Sequence, residues 1–171
     1  MRKAFIALAV VIAGLLVALF LFNQEPKYAG VSLSQKDYQH VQASKKQVKA
    51  ILSDLKLFNT HQDKSLTELK KDADALLKSN QPDLGPHDYN KLKEALYGPY
   101  GIVTSAENAK ARNYQIDVSV ASSLRGNFET LIVKSISSIN KNSIQRETIS
   151  NQLIKDLNLD QILYQIGSSQ E

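Results

Sequence analysis

Cysteine and tryptophan are absent from this 171-residue chain, which also has one Met and only three His. Without cysteine there can be no disulfide framework, thiolate zinc site, iron–sulfur cluster, cysteine nucleophile or lipid-modified cysteine anchor. The three His, His40, His61 and His87, have no second His three to five residues away, whereas zinc sites need three or four convergent ligands. There is no phosphate-cradling glycine loop, no His-Glu-x-x-His and no Gly-x-Ser-x-Gly. Asp72 and Asp74 point to different sides of a helix, and Asp156 and Asp160 lie one turn apart with nothing nearby to desolvate either. No catalytic residue, cofactor or metal is therefore expected. An enzyme acting on envelope polymers is the weakest of the readings considered.

Against this scarcity stands one long apolar run. Every residue from Ala4 to Phe22 is apolar or Gly, following Met1-Arg2-Lys3 and ending at Asn23-Gln24-Glu25-Pro26. As a helix it would measure roughly 28 Å, matching the hydrocarbon core of a bilayer. A cleaved signal peptide is the competing reading, but its apolar region is shorter and ends in a small-x-small site that is missing here. Arg2 and Lys3 would hold the amino terminus in the cytoplasm and send the rest to the periplasm or cell exterior. Setting those two aside from 21 basic residues leaves 19 against 17 acidic ones, so the basic balance is largely an orientation signal and no nucleic acid partner is expected. Ala9 with Ala13, and Gly14 with Ala18, are small residues four apart, a spacing that can let two such helices pair as a homodimer.

The expected organisation is a cytoplasmic terminus and signal-anchor over 1–22, a linker over 23–33, a helical domain over 34–167 and a short tail over 168–171. Within the domain, Ser34 can cap a helix to about Phe58, with Tyr38, Val41, Val48, Ile51, Leu52, Leu55 and Phe58 at helical spacing. Ser65-Leu66-Thr67-Glu68 reads as a capping box opening a helix over 66–79. Pro86 to Tyr97 reads as a short helix closed by Gly98-Pro99-Tyr100-Gly101. Between 105 and 140, Tyr114, Ile116, Val118 and Val120 alternate as a strand would, yet a hairpin about Gly126-Asn127 pairs few like faces. The expectation is one long helix from Ser105, bent near Gly126. A last helix starts near Asn142 or Ser143 and, after Asn158, restarts towards Ile166. The fold class is all-α: a single transmembrane helix carrying an extracytoplasmic antiparallel bundle of four main helices plus a short one. In outline alone this layout resembles bacterial LemA-type proteins and chemoreceptor sensor modules.

Two surfaces suggest contact. Tyr97, Pro99, Tyr100 and Ile102 concentrate aromatic and apolar side chains in a connection, where loops ordinarily lie at the surface; the alternative is that they fold back to seal the bundle. Lys45, Lys49 and Lys56 share a helical face, offering electrostatic contact to an acidic partner or anionic lipid, with a solvated face as the plain alternative. The leading expectation is a membrane-anchored, non-catalytic interaction module, a subunit or assembly factor with a protein partner in the envelope and lipid around residues 4–22. The alternative is a bundle that holds a small ligand or lipid at the extracytoplasmic membrane face, which would require a cavity between helices.

Overall fold

The computed structural model describes residues 25–168. The apolar run, with the anchor and helix-pairing readings made on it, lies outside the described residues, as does the tail from 169. Among the described residues no helix is long and apolar enough to cross a membrane.

The chain is all-α apart from one small hairpin. β1 (Lys27–Tyr28) and β2 (Val31–Ser32) pair antiparallel, and the helices are α1 (Gln35–Phe58), α2 (Gln62–Asn80), α3 (Pro86–Tyr97), α4 (Ile102–Ala111), α5 (Val118–Ser123), α6 (Arg125–Ser135), α7 (Ser143–Asp156) and α8 (Leu159–Ser168). α1 and α2 form the most extensive pairing; α4 and α3 pack on α2, α6 pairs with α3, and α8 packs on both α1 and α5. The three-residue connection 59–61 forces α1 and α2 antiparallel.

α1 follows its expected bounds because Ser34 accepts the Asp37 N–H at 3.1 Å and the apolar stripe then turns inward. Val41, Val48, Ile51, Leu52, Leu55 and Phe58 are each at most 1% exposed, as helical periodicity requires. α3 likewise runs from Pro86, whose missing N–H is harmless in a first turn, to Tyr97. α7 opens on a true capping box, Asn142 with Gln145.

Three expectations need correction. α2 begins at Gln62, a turn before the Ser65–Glu68 pattern: the Ser65 N–H already bonds to the His61 carbonyl, and Ser65 is buried within the helix. The long helix from Ser105 does not form. α4 ends at Ala111, Asn113 adopts a left-handed conformation with φ of 56°, and residues 114–117 run extended before Asp117 caps α5 through the Val120 N–H. The break is enforced from outside by Asn59, whose side chain accepts the Ile116 N–H at 2.8 Å and donates to the Ile116 carbonyl at 2.9 Å. The apparent strand alternation marks this extended stretch, in which Ile116 is fully buried while Tyr114 and Val118 stay exposed. A bundle of four main helices plus a short one thus becomes eight helices among the described residues.

The segment read as a linker carries the third difference. Its described part turns through Ala29 and Gly30, both at positive φ as a two-residue hairpin turn demands, and Leu33 is fully buried. Tyr28 donates to Asp156 at 2.7 Å, so the hairpin is fastened to the end of α7. Buried Leu33, with Tyr28 and Val31 packed against the core, docks a stretch in which no periodicity signals structure.

Candidate functional site

The α3–α4 connection is the most constructed surface feature of the domain. Gly98 and Gly101 close a tight turn in which the Gly101 N–H donates to the Gly98 carbonyl at 2.9 Å. A Cβ at Gly101 would lie 2.5 Å from the Leu96 carbonyl oxygen, and one at Gly98 would lie 2.5 Å from the Glu94 carbonyl oxygen. Only glycine fits at either position without displacing backbone. From α6, Asn127 donates to the Tyr100 carbonyl at 2.7 Å, fixing the turn to the bundle.

The four expected contact residues separate into two pairs. Ile102 is fully buried at the first position of α4, so it anchors the turn from beneath and is unavailable to a partner. Tyr97 is half-buried and donates to Asp74 at 2.6 Å, strapping α3 onto α2; partial burial and the adjacent Asp74 carboxylate both push its phenol pKa upward. Pro99 and Tyr100 are exposed, and Tyr100 presents 87% of its surface to solvent. Beside them lies an open hollow of about 260 Å³ lined also by Lys91, Glu94, Asn127 and Thr130. Asn127 and Thr130 already donate to the carbonyls of Tyr100 and Gly126, and Lys91 pairs with Glu94 at 3.2 Å. The hollow therefore offers an exposed aromatic edge on a fixed backbone and a self-satisfied polar rim, with no nucleophile positioned for chemistry.

The lysine face is drawn into internal contacts. Lys45 pairs with Asp156 at 2.6 Å and lies over the Tyr28 ring, and Lys56 donates to Gln165 of α8 at 2.9 Å, while Lys49 is exposed. Partial burial acts to raise the Asp156 carboxyl, but hydrogen bonds from Lys45, Tyr28 and Gln152 outweigh it and hold it at about 2.

No local pattern signals the carboxyl pair that faces across the α1–α2 seam. Asp54 is half-buried facing Asp72, and its Oδ2 is buried with no hydrogen-bond donor. Burial first, and then the Asp72 charge, raises Asp54 to about 6. These residues sit 18 positions apart on different helices, so only the helix pairing reveals them. Elsewhere, the groove between α6 and α7 measures about 470 Å³ and is bordered by Lys134, already paired with Asp88 at 2.7 Å. His40 donates through Nε2 to the Ser135 carbonyl at 2.7 Å, a structural role. Among the described residues no group of three or more His, Asp or Glu comes together to hold a metal.

No known family model, curated protein or solved structure matches the chain.

Proposed function

We propose that this protein is a non-catalytic interaction module, tethered to a membrane by residues 4–22 with its helical domain on the extracytoplasmic side, and that it docks on a protein partner through the Pro99–Tyr100 turn. One observation carries the docking reading: an almost fully exposed Tyr, at 87%, stands on a backbone that two glycines and the Asn127 side chain have already fixed. An exposed aromatic on a mobile loop would lose conformational freedom on binding. Here the backbone part of that ordering is in place before the partner arrives, so more of the contact energy appears as affinity. Tyr supplies a large rigid surface with a polar tip, the side-chain type that recurs as an interface anchor.

The supporting chemistry is consistent with docking rather than turnover. The hollow beside Tyr100 is open and its polar groups are mutually satisfied, and the larger α6–α7 groove is open too, whereas holding a small ligand calls for a pocket that encloses most of it. The tether rests on the apolar run alone, whose length matches a bilayer span.

The test is site-specific photo-crosslinking of the full-length chain in its native membranes. A photoreactive side chain replacing Tyr100 should give one discrete adduct, while the same group at Ile144, also exposed, should give none. Absence of an adduct at 100, or an indistinguishable set of adducts at both positions, would overturn docking through this turn.

A further inference from the structure

We infer that the end of the bundle where Pro26 meets the first turn of α1 is seated against the phospholipid headgroup layer, so that the domain stands at a fixed height with its opposite end outward. The inference rests on the tether proposed above. Its independent ground is that no free linker is left once the chain reaches Pro26. The Pro26 carbonyl accepts the Leu33 N–H at 2.8 Å, and Leu33 itself is fully buried. Tyr28 donates to Asp156, Lys45 bonds the same carboxylate oxygen at 2.6 Å, and Gln152 donates to its other oxygen at 2.7 Å. Four groups on β1, α1 and α7 thus clamp the segment that follows the apolar run.

Chain length then sets the height. From Phe22, the last apolar residue, to Pro26 there are only four Cα–Cα steps, which extend to at most about 14 Å. The headgroup region on one side of a bilayer occupies roughly 5–8 Å of that distance. Pro26 must therefore lie within or just above the headgroups, and the start of α1 with it. The charged groups nearby, exposed Glu25, Lys27 and Lys36 and half-buried Asp37, balance, so seating follows from the short tether and not from attraction to anionic lipid. The other end of α1, where Leu57 is 52% exposed, lies about 36 Å away along its 24 residues.

Because the chain has no cysteine, single labels need no background removal. Full-length Lys36→Cys and Thr60→Cys, both at exposed positions, are labelled with a fluorophore and reconstituted into phosphatidylcholine nanodiscs carrying a headgroup-attached quencher. The label at 36 should be quenched at least threefold more than the label at 60. Adding Tyr28→Phe with Asp156→Asn should shrink that difference by loosening the hairpin. Equal quenching at both sites, or stronger quenching at 60, in a chain that co-floats with lipid overturns the seating while leaving the tether standing. Failure to co-float overturns the tether, and the seating falls with it.

Discussion

Replacing Asp54 by Asn should stabilise the domain at neutral pH and do little in mild acid. In the folded chain the Asp54 carboxyl is held at about 6, against an ordinary value of 3.8, because it is partly desolvated and faces Asp72. A carboxyl raised on folding prefers the protonated form, so its ionisation opposes the folded state: the penalty is absent below pH 3.8, grows as pH rises, and is complete above about pH 6. At about 1.4 kcal/mol per tenfold change in proton affinity the gap corresponds to about 3 kcal/mol. Asp54 keeps solvent contact, and screening reduces this to about 1 kcal/mol. Asparagine carries no charge, and its amide can donate to Asp72 where the carboxylate cannot. The expected gain at pH 7 is therefore about 1 kcal/mol, or about 3–5 °C in Tm for a domain of this size. Thermal unfolding of wild type and Asp54→Asn at pH 4 and pH 7 measures it. An equal shift at both pH values, or a loss of stability at pH 7, would refute the reasoning, since either would show that the carboxyl is not ionising against an unfavourable field.

The same linkage runs in the opposite direction at Asp156, whose carboxyl is held at about 2: its support of the hairpin is full above about pH 4 and is lost as pH falls towards 2, so the protection of the Leu33 amide, its exchange relative to an unstructured chain at the same pH, should decline over that window. Asn59→Ala removes the group that donates to the Ile116 carbonyl and accepts the Ile116 N–H, so both backbone groups of buried Ile116 lose that partner; a loss of about 2–3 kcal/mol in denaturant unfolding is expected. Ala29 sits at φ of 52°, a left-handed region that asparagine tolerates better than alanine because its short amide hydrogen-bonds locally, so Ala29→Asn should slow hairpin amide exchange about threefold to fivefold, equivalent to about 1 kcal/mol.

Sequence periodicity was informative where burial is decided within one helix. The α1 stripe from Val41 to Phe58, the Pro86–Tyr97 helix and the Asn142 start of α7 all follow local rules, because each needs only its own cap and its own apolar face. Local rules failed where a distant group intervened. Nothing near Ser105 announces that Asn59 will capture Ile116, yet Asn113, with its tolerance for left-handed φ, and Asp117, an apt cap, were visible signals of the break. Ser65 to Glu68 matched a capping pattern by composition while lying inside a helix that burial of Leu66 and Leu69 extends backwards. At the candidate site the glycines, Pro99 and Tyr100 were legible as an unusual connection. The division of labour, with Ile102 beneath and Tyr97 strapped to Asp74, required the packing of α4 and α2.

If the Pro99–Tyr100 turn is the docking surface, Tyr100 contributes to association without contributing to folding. Substituting an exposed side chain outside any internal hydrogen bond typically changes stability by no more than about 0.5 kcal/mol, whereas truncating an interface anchor typically costs at least about 2 kcal/mol of binding. The direct measurement compares wild type with Tyr100→Ala in the full-length chain, recording Tm and the mass of the complex released from native membranes by mild detergent. Docking through Tyr100 requires an unchanged Tm and a complex that collapses towards the mass of the chain alone. A complex of undiminished mass, or a Tm lowered by several degrees, would contradict it.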